Sequence, residues 1–257
     1  MADFHIVHAA AAFACAFAAG MINSVAGGGT LVSFPTLIWL GLSSVTANAT
    51  STVAIWPGSV GGMWGYRREL RTVNPRMLYL IAPSLVGGIA GALLLRLTPS
   101  KLFDQLVPFL ILFATILFVL QEPIQRKLKE AKLVDHSSPK WLAGAMLFQL
   151  GVALYGGYFG AGIGILMLAA LGILGLTDIH QMNGLKNLLG LSINGVAALY
   201  FIWAGMVYWP DVAVMAVGAV AGGYGSAGIA RRIGRTRVRQ VVIAVGFGMA
   251  LSLFLKQ

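Results

Sequence analysis

Charge is what this chain has least of. Of 257 residues only 10% are charged, and only eight of them are acidic. Cysteine is nearly absent too: Cys15 stands alone, which excludes a disulfide within the chain. The four histidines, His5, His8, His136 and His180, have no ligand spacing with one another, so neither a metal nor another cofactor is expected. No Ser, His and Asp constellation, nucleotide loop or nucleic-acid module is present. What remains is apolar: 58% of residues are hydrophobic and the mean hydropathy is +0.83. A soluble domain of this length could not hide so much apolar surface, so the chain reads as a membrane protein.

The chain is also written twice. Positions about 135 apart carry matching residue types in the same order: Asn48 answers to Asn183, Thr52 to Asn187, Pro75 to Pro210, Gly87 and Gly88 to Gly222 and Gly223, and Arg96 to Arg231. Apolar segments fall near 6–26, 29–41, 46–65, 75–96 and 102–121, and again near 141–158, 162–176, 182–205, 210–230 and 238–255. The second segment of each set is too short for a spanning helix of about 20 residues and is expected to be a half-helix or to re-enter. The expected fold is therefore an all-α polytopic membrane protein of two inverted five-segment repeats, with about eight full spans plus the short helices. Residues 1–121 form the first repeat, 122–140 a linker reading as a short amphipathic surface helix, and 141–257 the second repeat. The start Met1-Ala2-Asp3-Phe4-His5 has no Lys or Arg, so the first segment is read as mature structure rather than a signal peptide.

The net charge of +10 does not point to nucleic acid, because the basic residues sit between apolar runs. One group is Arg67, Arg68, Arg71 and Arg76; a second is Arg126, Lys127, Lys129, Lys132 and Lys140; a third is Arg231, Arg232, Arg235, Arg237 and Arg239. With ten reversals of the chain all three loops share one side, which the positive-inside rule makes cytoplasmic. Both termini then lie outside.

Function is sought where polar residues interrupt the apolar segments, because polar groups in a bilayer need partners. They cluster twice: in Asn23, Ser24, Gly27, Gly28, Gly29 and Thr30, then Thr46, Asn48, Thr50, Ser51 and Thr52, then Trp56, Pro57, Gly58 and Ser59; and in Tyr155, Tyr158, Gly160, Gly162 and Gly164, then Gln181, Asn183, Lys186 and Asn187, then Ser192 and Asn194. Pro57, after Trp56, is expected to break its helix near the site. A glycine run opening a short helix can present bare N–H groups and the positive end of the helix dipole to an anion. The same glycines would equally serve close helix packing. Each run is followed by an Asn-x-x-x-Thr or Asn-x-x-x-Asn pair, one helical turn apart and so on one face. Lys186 is the sharpest residue, since an ammonium inside an apolar segment is costly without an anion, a dipole or water. It either snorkels to the interface or meets an anionic substrate, because every acidic residue reads as a terminus, loop or segment end. The lack of a carboxylate within the segments also argues against a buried acidic proton relay.

At these residues the chain resembles the sulfite exporter TauE/SafE permeases of bacterial inner membranes. The resemblance is carried by Ala-Gly-Gly-Gly-Thr-Leu-Val-Ser-Phe-Pro at 26–35, by Ala-Asn-Ala-Thr-Ser-Thr-Val-Ala at 47–54, and by Gly160-Ala-Gly-Ile-Gly with Asn183-Gly-Leu-Lys186-Asn187. Where many relatives have a second Asn in the first polar turn, this chain has Ser51, which leaves fewer donors there. The resemblance implies a two-repeat permease for sulfur-containing anions. Together these readings give a secondary transporter of a small anion such as sulfite, a sulfonate or a related organic acid. Its site lies between the repeats, at Gly27, Gly28, Gly29, Thr30, Asn48, Thr52, Gly162, Gly164, Asn183, Lys186 and Asn187. An anion channel is the alternative, and an intramembrane enzyme a more distant one. The expected partners are the small anion and the lipid bilayer, with a homodimer left open.

Overall fold

The computed structural model describes residues 2–25, 28–129, 139–176, 178–233 and 235–255. Among them every regular element is helical. In chain order these are α1 (Ala2–Val25), α2 (Thr30–Trp39), α3 (Ser44–Gly65), α4 (Arg67–Leu70), a 3-10 turn (Pro75–Leu80) running into α5 (Ile81–Leu97), and α6 (Ser100–Lys129). There follow α7 (Pro139–Tyr158), α8 (Ile163–Ile173), α9 (Ile179–Trp203), α10 (Trp209–Ile233) and α11 (Arg235–Phe254).

The two short segments end for a reason written in their sequence. Gly41 takes φ +99° and Gly175 φ +88°, a left-handed conformation that a side chain disfavours. In each case the next residue folds back: the N–H of Leu42 reaches the carbonyl of Leu37, and that of Leu176 the carbonyl of Leu171. With the glycine N–H bonds to Ile38 and Gly172, these are two Schellman caps that stop α2 at 10 residues and α8 at 11. The longer helices that follow start on side-chain caps. Ser43 accepts from the Thr46 N–H, and Asp178 from the N–H groups of His180 and Gln181.

Among the described residues, four stretches are long and apolar enough to cross a membrane: Ile6–Asn23, Pro75–Leu97, Ser100–Leu120 and His180–Trp203. Shorter apolar helices cover Thr30–Trp39, Ile163–Gly172, Trp209–Gly223 and Val242–Phe254. Phe109, Leu147, Leu199, Val217 and Leu251 stand on the outer surface, as lipid contact requires. The chain is an all-helical, multi-pass membrane protein.

Two sequence expectations meet a different local structure. α6 runs without a break through Pro123 to Lys129, so the first part of the expected linker helix continues α6. Residues 130–138 of that linker lie outside the described residues. Pro57, expected to break its helix, sits inside an uninterrupted α3.

Helices pair across the chain. α1 lies along α10 and α5 along α7, α3 packs on both α10 and α9, and α9 on α5, while α6 lies against α11. Small residues set these distances: a Cβ on Gly157 of α7 would run into the carbonyl of Gly88 on α5, and one on Gly222 of α10 into the carbonyl of Phe17 on α1.

Candidate functional site

A cavity of about 50 Å³ lies where α1, α3, α8 and α9 converge. α9 gives it one face, because Lys186, Asn187, Gly190, Leu191 and Asn194 recur at helical spacing. The first turns of α8 add Ile163, Gly164 and Met167, α3 adds Gly58 and Ser59 just past Pro57, and α1 adds Asn23 near its end. These are the parts of α1, α3 and α9 that lie toward the arginine-bearing loop. Gln181 of α9 bonds Thr72 there, and Gly184 packs against Leu70 and Tyr66.

Among the described residues the lining is rich in donors and contains no carboxylate. Asn23, Ser59, Lys186, Asn187 and Asn194 are its polar members. Lys186 is 3% exposed, so its ammonium stays inside the protein instead of snorkelling out, and it engages another group of the chain. Asn187 Nδ2 is buried and has no hydrogen-bond partner among the described residues. A buried amide donor left without an acceptor costs about 1–3 kcal/mol, which a ligand oxygen would recover.

The other expected residues lie elsewhere. Asn48, 1% exposed, donates from Nδ2 to the Tyr158 carbonyl at 2.9 Å, tying α3 to the end of α7, while its buried Oδ1 has no hydrogen-bond partner among the described residues. Thr52 donates to the Asn48 carbonyl at 2.9 Å, which closes that face inward. Asn183 is half-buried one turn before Asn187. Thr30 is buried at the start of α2. Gly162 caps α8 with φ +74° beside Gly164. Gly28 and Gly29 serve packing, since a Cβ on the first would meet the Phe118 ring and on the second the Ala19 carbonyl. The Gly29 N–H is directed to Asn23 Oδ1 at 3.4 Å, so it is not bare. Gly27 lies outside the described residues.

Asn23, Ser59 and Asn194 stand in the expected polar clusters but not in the expected site. A signal for two of them was available and unused, since Ser59 and Asn194 are 135 positions apart. A second polar feature was missed entirely. His8 Nε2 lies 2.8 Å from Asp211 Oδ1, and the Asp211 side chain is only 4% exposed. The chain therefore does bury a carboxylate, at the start of α10, where none was expected. Sequence alone hides the pair because its members are 203 positions apart.

The model of the sulfite exporter TauE/SafE family matches residues 12–253. The Escherichia coli K12 protein named "Probable membrane transporter protein YfcA" is 27% identical over 242 residues, covering 94% of this chain and 87% of its own. A "Probable membrane transporter protein" of Haemophilus influenzae is 25% identical over 247 residues, with 95% and 94% covered. One of Sinorhizobium sp, "Probable membrane transporter protein ORF9", is 25% identical over 250 residues, with 97% and 93% covered. No solved structure matches the chain.

Proposed function

We propose, since this chain belongs to the sulfite exporter TauE/SafE family, that the membrane transporter it forms carries a small oxyanion by alternating access. The observation that carries this reading is the juxtaposition of buried Lys186 with Asn187, whose Nδ2 has no partner, on a cavity wall that holds no carboxylate among the described residues. Full charge on one group and dipoles on the rest suit a compact anion, which gains charge-assisted hydrogen bonds from several directions. A space of about 50 Å³ fits a sulfite-sized ion better than an extended organic acid. Asn23, Ser59, Gly164, Lys186, Asn187 and Asn194 would hold it in this state.

Two inverted repeats, 1–121 and 141–257, belong to the same proposal. Pairing of α1 with α10 and of α5 with α7 supports it, because each joins the first helix of one half to the fourth of the other. Asn48, Ser51 and Thr52 then occupy in the first repeat the places of Asn183, Lys186 and Asn187 in the second. They are buried here, Ser51 bonded to Ser33 at 2.6 Å, and would face the substrate when the opposite side opens. The arginine-rich loops favour a cytoplasmic linker and periplasmic termini in a bacterial inner membrane.

The test is thermal stability of the purified protein in detergent against sulfite, sulfate, sulfoacetate, taurine and simple carboxylates. A ligand at a hundred times its Kd adds about 2.7 kcal/mol. Stabilisation by a sulfur oxyanion that is lost in Lys186→Ala supports the site. An equal response of parent and variant, or none to any anion, rejects it.

A further inference from the structure

The His8–Asp211 contact joins α1 to the first turn of α10, away from the cavity. We infer that His8 and Asp211 form a proton-binding site that couples proton movement to anion transport, an inference that rests on the transporter reading above. An ionised carboxylate only accepts hydrogen bonds, so His8 Nε2 carries the shared hydrogen and an incoming proton is taken at Nδ1. Without that proton the pair holds one net negative charge, and Asp211 Oδ2 is buried with no hydrogen-bond partner among the described residues. With it the pair is neutral overall and its hydrogen bond is charge-assisted at both ends. Net charge in an apolar membrane interface is expensive, so proton binding favours the packed α1–α10 arrangement and proton loss loosens it.

Few other groups compete for the proton. Along α2 and α3, which pack on α1, there is no Asp, Glu, Lys, Arg, His, Cys or Tyr within Thr30–Trp39 or Ser44–Gly65. α11, the remaining neighbour of α10, carries Arg235, Arg237 and Arg239 at its opposite end. Beyond His8 on α1 the next titratable residue is Cys15, two turns on, and Tyr208 lies three residues before Asp211, just ahead of α10. Asp3 and His5 precede His8 on α1.

The pair is mechanically connected to the polar face of α3. The N–H of Tyr208 donates to Thr50 Oγ1 at 3.0 Å, and the Tyr208 carbonyl accepts from the Val212 N–H in the turn that carries Asp211. Thr50 adjoins Ser51, which bonds Ser33, and lies two residues from Asn48. A shift of the first turn of α10 is thereby delivered to the buried cluster that the proposal above opens in the opposite state. A staple that only holds α1 to α10 would affect stability and nothing else.

Proteoliposomes loaded with radiolabelled sulfite separate the two roles for the parent, His8→Gln and Asp211→Asn. Sulfite exchange at equal pH on both sides is expected to stay within about threefold of the parent in both variants. Accumulation driven by a pH gradient should fall by at least about tenfold. Equal gradient-driven accumulation in parent and variants would mean that the proton rides on the anion and would overturn the inference. If the variants do not fold, or the parent moves no sulfite, nitrogen-15 NMR of labelled His8 still decides. With His5, His136 and His180 replaced by Gln so that His8 is the only labelled ring, its two ring nitrogens should switch between neutral and protonated signatures as the pH is varied over the range in which the protein stays folded. A ring held in one charge state throughout would overturn the inference even where sulfite transport stands, and absence of transport with a titrating ring would reject only the sulfite reading.

Discussion

Trp56 donates its indole N–H to the carbonyl of Leu191 at 3.2 Å, and the two residues are 135 positions apart. That separation equals the offset at which the sequence matches itself. The helices that carry them, α3 and α9, start 135 positions apart at Ser44 and Ile179 and pack on each other; the inverted repeats proposed above would put such a pair beside the axis relating them. α6 and α11, starting at Ser100 and Arg235, form a second such pair. The cavity lies beside this contact, with Leu191 and Ser59 in its wall.

Trp56→Phe removes the hydrogen bond together with the part of the indole, Nε1, Cε2 and Cζ2, that faces Gly195. The expected loss is about 1–3 kcal/mol of stability, one neutral hydrogen bond plus the packing of the missing ring atoms, measured by reversible denaturation in mixed micelles. No measurable loss would mean that this contact does not help to hold α3 to α9.

Lys186→Ala and Asn187→Ala separate charge from dipole at the cavity. Hydrogen bonds to charged groups are worth about 1.5–3 kcal/mol, so each variant should weaken sulfite binding by roughly tenfold to a hundredfold, read by isothermal titration. Asn187→Ala should leave stability unchanged or improved, because it removes a buried donor without a partner. Unaltered affinity in both variants would place the anion elsewhere.

The close approaches of α5 and α7 are tested by a pair of alanines on one helix. Gly157→Ala drives a methyl group into the Gly88 carbonyl, whereas nothing lies within 4 Å of a Cβ on Gly151. Gly157→Ala should be destabilised by about 1–3 kcal/mol, the usual cost of overpacking. Gly151→Ala should gain about 0.5–1 kcal/mol from helix propensity. Equal melting temperatures for the two variants would show that α5 and α7 move apart freely.

Much of the fold is legible in the sequence, because the signals are local. Short segments at 29–41 and 162–176 become α2 and α8, each stopped by a glycine that the following leucine folds back over. The site is legible only in part. Gly164, Lys186 and Asn187 share the cavity, but Asn48 and Thr52 are turned into backbone contacts at Tyr158 and within α3. Which face of a helix meets a cavity depends on which helices are neighbours, and periodicity does not record that. The glycines show the same limit: Gly28 and Gly29 read as possible donors, yet Phe118 and Ala19 lie against them. Nor could spacing join His8 to Asp211, which meet because α1 and α10 come together from the two ends of the chain.

Gly162 distinguishes conformational need from packing need. Its φ of +74° is unfavourable for an L side chain, while a Cβ there would meet Ala114 at an ordinary 3.5 Å. Gly162→Ala should therefore cost about 1–2 kcal/mol through backbone strain alone. Because this residue sets the start of α8, relief of that strain would tilt Ile163 and Gly164 at the cavity wall, and sulfite affinity should fall with stability. Gly29→Ala is the contrast, since its φ of −58° is helical and its conflict is with the Ala19 carbonyl. Denaturation and titration of both variants together give the answer: affinity lost in Gly162→Ala but kept in Gly29→Ala ties the anion to the α8 turn. The reverse order would move the site to the α2 turn and remove the role given to Gly164.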